Sequence, residues 1–127
     1  MFRTKPVKVL LVDDELSTQK MIERRLVANG YEVLLAGDGV EALEVAFDKH
    51  PDVIVMDVML PGMNGDDAAY RLRNDSRTEK IPVIFLTCLV KPGEAVATDY
   101  KVGDNVMLPK PCDSARLISM IEKAAGN

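Results

Sequence analysis

Short all-apolar runs alternate along this chain with stretches whose apolar residues recur every three or four positions. Residues 7–12, valine- and leucine-rich, predict a buried strand. Residues 16–29 carry Met21, Ile22 and Leu26 at helical spacing, with Gly30 as a stop. Residues 31–36 predict a second strand. Residues 39–49 place Ala42, Leu43, Ala46 and Phe47 on one helical stripe. His50-Pro51 closes it, because a residue before proline is disfavoured in helical geometry.

Residues 53–56 are apolar on both faces, the mark of a central strand. Residues 60–65, Leu-Pro-Gly-Met-Asn-Gly, have strong turn chemistry. The pattern then predicts a helix over 66–74, a strand over 83–86, a short helix over 94–101 stopped by Gly103, a strand over 106–108, and a last helix capped by Asp113 or Ser114 and ending near Ala124. Five strands alternating with five helices predict an α/β fold: a doubly wound, five-stranded parallel sheet with helices on both faces. Residues 7–124 form the core of a single domain spanning 1–127, with no effector domain in this chain.

Composition narrows the function classes. Sixteen Lys and Arg against 20 Asp and Glu give a net charge of −4, which disfavours binding to a phosphate backbone. The apolar run Val9-Leu10-Leu11-Val12 is too short for a signal-peptide core or a bilayer span, so the chain reads as cytoplasmic and without a membrane segment. Cys88 and Cys112 form no CxxC pair and read as reduced thiols.

In a doubly wound sheet, ligands bind at the carboxyl ends of the strands. There the sequence collects Asp13 and Asp14 after the first strand, Asp57 after the third, Thr87 after the fourth and Lys110 after the fifth. Each has an ordinary explanation taken alone: acids favour helix N-termini, threonine favours strands and lysine favours solvent. Convergence changes the balance. Two carboxylates about 4 Å apart repel by about 4 kcal/mol at an effective dielectric near 20, so three together call for a cation. An all-oxygen donor set suits Mg²⁺ or Mn²⁺. A carboxylate nucleophile beside a hard cation, a lysine and a hydroxyl makes a phosphoryl-transfer site.

These residues resemble the receiver domain of two-component response regulators. The resemblance is carried by Leu10-Leu11-Val12-Asp13-Asp14-Glu15, by Asp57 through Gly65, by Thr87 and by Leu108-Pro109-Lys110-Pro111. It implies a flavodoxin-like (βα)5 fold and a domain that catalyses only its own phosphorylation and dephosphorylation. Asp57 would be the phosphoacceptor, served by a histidine kinase or phosphotransfer protein. Asp14 and Asp57 would bind Mg²⁺ directly, Asp13 through the metal's waters, and the backbone carbonyl of Met59 would complete the protein ligands. Lys110 would pair with Asp57 and then with the phosphoryl oxygens, and Thr87 would carry the switch to a downstream protein target. The domain would be a monomer or a weak phosphorylation-linked dimer. Leu16, Gln19 and Glu23 would form the first helix's docking stripe for the phosphodonor.

Three positions depart from the family pattern: Met107 replaces the usual aromatic, Cys88 the usual small residue after the switch threonine, and Cys112 the usual phenylalanine. With methionine in place of the ring, a shallower conformational switch is expected. The competing functions are an aspartyl-nucleophile phosphatase, a phosphorylation-independent interaction module and a nucleotide-binding fold. The first typically has an aspartate where this chain has Met59. Against the second stand the intact acids, threonine and lysine. The third lacks any GxGxxG or P-loop sequence.

Overall fold

The structure, a computed structural model, describes residues 5–87, 100–102, 105–109 and 114–126. In chain order the elements are β1 (Lys8–Val12), α1 (Leu16–Ala28), β2 (Glu32–Ala36), α2 (Gly39–Lys49), β3 (Val53–Asp57), α3 (Gly65–Arg73), β4 (Val83–Thr87), β5 (Tyr100–Val102), β6 (Asn105–Pro109) and α4 (Ser114–Ala124). The sheet order is β2-β1-β3-β4-β6-β5. The five strands expected from the sequence, β1 to β4 and β6, pair in parallel.

Strand period and sheet faces agree. In β1 and β3, Val9, Leu11, Val53 and Val55 join Leu26 of α1 and Leu117 and Ile121 of α4 in one core cluster. The alternate residues, Leu10, Val12, Ile54 and Met56, join Ala42 and Ala46 of α2 and Ala68, Ala69 and Leu72 of α3 in the other. Side chains alternate faces along a strand, so this parity puts α1 and α4 on one side of the sheet and α2 and α3 on the other. All five residues of β3 are buried, as a central strand covered on both faces requires.

Local chemistry fixes the helix ends. The Asp38 carboxylate caps α2 by accepting from the Glu41 N–H at 2.8 Å, and the Glu41 carboxylate accepts from the Gly37 N–H at 2.6 Å. This is close to a reciprocal capping box. His50 ends α2 in the left-handed region, at φ 50°, with its N–H donating to the Ala46 carbonyl. The helix stops where the sequence predicts, through a left-handed cap rather than an extended residue. At the end of α3 the buried Thr78 hydroxyl donates to the Leu72 carbonyl at 2.6 Å. Arg77 pairs with Asp75 at 2.7 Å and lies 4.0 Å from the centre of the Phe47 ring, tying this turn to α2. Across the other face, Arg25 of α1 donates to the Ser114 hydroxyl at the start of α4.

One expectation needs correction here, and a second is narrowed. Tyr100 and Lys101, expected at the end of a helix over 94–101, lie in β5, which pairs antiparallel with β6. The aromatic and β-branched residues of Tyr100-Lys101-Val102 suit a strand. Val102 pairs with Asn105 in that antiparallel register. Residues 94–99 and Gly103 lie outside the described residues. The last helix begins at Ser114 itself, so Ser114 is its first residue rather than its cap; Asp113 is outside the described residues.

Candidate functional site

The topology makes the site before any side chain is considered. β1 has β2 on one side and β3 on the other, so the chain reverses direction across the sheet between β1 and β3. The crevice at such a switch point opens at the strands' carboxyl ends. Asp13 and Asp14 follow β1 directly, and Asp57 is the last residue of β3.

The three acids do converge. One carboxylate oxygen from each of Asp13, Asp14 and Asp57 lies within 4.8 Å of the others. Asp13 is 2% exposed and Asp57 6%, whereas Asp14 is exposed. Two unit charges 4.8 Å apart repel by about 3.5 kcal/mol at an effective dielectric near 20. Desolvation of the two buried acids adds to that cost. A divalent cation offsets both, and an all-carboxylate donor set suits a hard ion such as Mg²⁺.

Backbone donors aim the two buried acids. The Asp13 Oδ1 accepts from the Glu15 N–H at 2.9 Å, and the Asp57 Oδ1 accepts from the Met59 N–H at 3.0 Å. Both are two-residue Asx turns. The Asp57 turn is anchored on two sides: the Val58 N–H donates to the Leu86 carbonyl at 3.0 Å, and the Val58 carbonyl accepts from the Gly65 N–H at 2.8 Å. Gly65 is required there, because a Cβ on it would sit 2.6 Å from the Asp57 carbonyl oxygen. The loop between them rests on α2, since a Cβ on Gly39 would sit 2.9 Å from both the Cβ and the carbonyl oxygen of Met63. Leu60 of the same loop is buried in the α2–α3 core. The acids open into a cavity of about 470 Å³ whose described walls include α1, β4 and α4.

The remaining expected site residues divide into placed and unplaced. Met59 follows Asp57 on the same turn, its side chain exposed. Thr87 closes β4, next to β3, with its backbone in register with Pro109. Lys110, Cys88, Cys112 and the side chain of Met107 lie outside the described residues. On α1, Leu16 is 66% exposed, as an apolar docking anchor requires. Gln19, expected on the same surface stripe, is instead buried at 7%, and Met21, expected beside Ile22 and Leu26, is 48% exposed. The helical period explains Gln19: it lies three residues before Ile22 and seven before Leu26, on the inward face. That spacing is the sequence signal for burial at this position. Among the described residues, no helix is long and apolar enough to cross a membrane.

Comparison with known proteins agrees with this geometry. The response regulator receiver domain family matches residues 9–122. The response regulator MprA of Mycobacterium sp. (strain KMS) is 40% identical over 106 residues, which cover 84% of this chain and 45% of that protein. The response regulator PleD of Caulobacter vibrioides is 36% identical over 114 residues, 90% of this chain and 25% of that protein. The chain thus spans half or less of the length of these curated relatives. Among solved structures, the receiver domain of the sensor histidine kinase PA1611 from Pseudomonas aeruginosa PAO1, with a magnesium ion coordinated in its active-site cleft, superposes with a TM-score of 0.83 at 31% identity, covering 96% of this chain and 99% of that one. The chemotaxis response regulator CheY4 of Vibrio cholerae gives a TM-score of 0.80 at 33% identity, covering 94% and 99%. With the fold, the switch-point crevice and its three carboxylates already in place, the chain belongs to the response regulator receiver domain family.

Proposed function

We propose that this chain is a phosphorylatable receiver that takes a phosphoryl group on Asp57 and changes conformation to control a protein partner. The observation that carries the reading is the convergence of the Asp13, Asp14 and Asp57 carboxylates at the switch point. A carboxylate oxygen of Asp57 attacks phosphorus as the bond from phosphorus to the donor breaks. With a phosphohistidine donor, the imidazole nitrogen leaves with the bonding electron pair. The product is an acyl phosphate on Asp57.

The three converging carboxylates fit a hard divalent cation, which Asp13, Asp14 and Asp57 would hold together with the Met59 carbonyl. A bound Mg²⁺ supplies neutralisation of the negative charge shared by carboxylates and phosphoryl oxygens. The chain's own part is positioning. The Asx turn and the Val58 bridge to β4 hold Asp57 at the end of a fully buried strand, so its attacking oxygen needs little reorganisation. Lys110 pairs with the phosphoryl oxygens, and Thr87 closes on the phosphorylated site as the switch residue.

Receiver domains partner histidine kinases; here the donor is a histidine kinase or phosphotransfer protein docking at the exposed Leu16 end of α1, in the cytoplasm. Nucleic acid is not the direct target of a domain with net charge −4. The domain works singly or as a weak phosphorylation-linked dimer, and it turns over no substrate beyond its own phosphoryl group.

Incubation with acetyl phosphate and Mg²⁺ tests the reading. One added phosphoryl group by intact mass, lost in Asp57→Asn and on chelation, supports it. Label on another residue overturns the assignment. Sustained turnover of phosphomonoesters points instead to a phosphatase, and an unmodified protein points to a phosphorylation-independent module.

A further inference from the structure

Gln19 lies in the first turn of α1 and is 7% exposed. Its Nε2 donates to two backbone carbonyls, that of Asp13 at 3.2 Å and that of Ala36 at 3.1 Å. A carboxamide nitrogen carries two protons, so both are used. The acceptors come from the carboxyl ends of adjacent strands, β1 and β2. The Asp13 N–H donates to the same Ala36 carbonyl at 3.1 Å. Asp13 is therefore held at its amide, at its carbonyl and at its carboxylate, which accepts from the Glu15 N–H.

The carbonyl is the point of interest. The peptide group is planar, so the plane that holds the Asp13 carbonyl also holds the Asp14 nitrogen and places the Asp14 Cα. Asp14 is the exposed member of the acid cluster, and burial does not constrain its side chain as it does those of Asp13 and Asp57. The peptide plane that Gln19 grips fixes where the Asp14 Cα stands, the base from which its carboxylate reaches the cluster. We infer that Gln19 is a positioning residue for the acid cluster: its carboxamide fixes the Asp13–Asp14 peptide plane, and through it the site's affinity for a divalent cation. The inference rests on the proposed reading of the cluster as a cation site.

A purely structural Gln19 would merely satisfy two buried carbonyls. Thr78 supplies the comparison, since its buried hydroxyl satisfies the Leu72 carbonyl in the last turn of α3, before β4 begins and so toward the amino ends of the strands, opposite the acids. The experiment measures Mg²⁺ affinity by calorimetry on the whole chain, alongside thermal unfolding and backbone amide shifts of the metal-free protein. Gln19→Met, which keeps the side-chain length and removes the donors, is expected to weaken Mg²⁺ binding about tenfold, the lower end for loss of a group that orients a metal ligand. It is also expected to move the Asp13 and Asp14 amide shifts before any metal is added. Thr78→Val should lower the unfolding temperature and leave Mg²⁺ affinity at the wild-type value. Should Gln19→Met not fold, Gln19→Asn keeps the amide but falls short of the two carbonyls, and carries the same comparison. Wild-type affinity in the folded variant, or equal loss in Thr78→Val, overturns the inference alone. A wild-type protein that binds no Mg²⁺ overturns the reading of the cluster and this inference with it.

Discussion

Replacing Gly65 by alanine tests how tightly the Asp57 turn is built. The new Cβ would lie 2.6 Å from the Asp57 carbonyl oxygen, 3.0 Å from the Val58 Cα and 3.3 Å from the Val58 carbonyl oxygen. All three are backbone atoms, and two belong to Val58, whose amide and carbonyl are both hydrogen-bonded. No flexible side chain can yield, so α3 and the turn must separate by roughly 0.8 Å to reach ordinary contact. Overpacking of this kind costs about 1–3 kcal/mol. Alanine returns up to about 1 kcal/mol of helix propensity, less at a first helical residue. The net expectation is a loss of about 1–2 kcal/mol, or about 4–8 °C in Tm for a domain of this size. Unfolding followed by far-UV circular dichroism reads that directly. Phosphorylation by acetyl phosphate should slow in the same variant at temperatures where it is fully folded, because the displaced atoms carry Asp57. Gly30→Ala is the control: its φ of +89° makes alanine strained, yet nothing lies within 4 Å, so it should lose stability and keep the phosphorylation rate. A Gly65→Ala protein as stable as wild type, with an unchanged rate, would refute the close-packing argument.

Other outcomes follow from the same geometry. Leu16→Asp should slow transfer from a cognate kinase at least tenfold, as loss of an exposed apolar anchor would, while sparing phosphorylation by acetyl phosphate; equal loss with both donors would indicate misfolding. Hydrogen bonds from the Arg77 side chain and backbone lower the Asp75 pKa from 3.8 to about 2, so this pair's contribution is present above pH 3.8 and lost as pH falls through 2; Asp75→Asn should flatten the acid limb of stability in that window. Burial, then the charge and hydrogen bonding of Glu122, raises the Tyr31 pKa above 10.0, so its contribution is present below pH 10 and lost as pH rises through the folded value; Tyr31→Phe should flatten the alkaline limb of a pH–Tm profile. Met107→Tyr should enlarge the amide shifts that beryllofluoride induces around β6 without altering the acetyl phosphate rate; equal shifts in both proteins would show that the ring is dispensable.

The parallel sheet was legible because each strand is a compact apolar run, and the two faces of β1 and β3 are both greasy. Asp13, Asp14 and Asp57 were legible as a group because topology, once inferred, collects strand ends. Their inequality was not: adjacent aspartates read alike in sequence, and only the turn decides that Asp13 is buried and Asp14 exposed. Tyr100–Val102 escaped notice because a three-residue edge strand is too short to establish a period of two against a helical background. Gln19 escaped because hydrophobic patterning counts a glutamine as a surface residue, whereas two carbonyls pointing inward make a buried amide favourable.

The loop from Val58 to Asn64 sits between two glycines of other elements' first turns, Gly39 of α2 and Gly65 of α3, with Leu60 inserted into the core they cover. In the language of hydrogen exchange, it has no cheap private opening. Releasing it requires withdrawing a leucine from the interior and unseating Met63 from the start of α2, so its amides should exchange with those helix starts as one cooperative unit. A loop that carries function is ordinarily the first part of a domain to come loose. Here the segment beside Asp57 borrows the opening free energy of a whole core face, and perturbations at that residue have a direct mechanical route into α2 and α3.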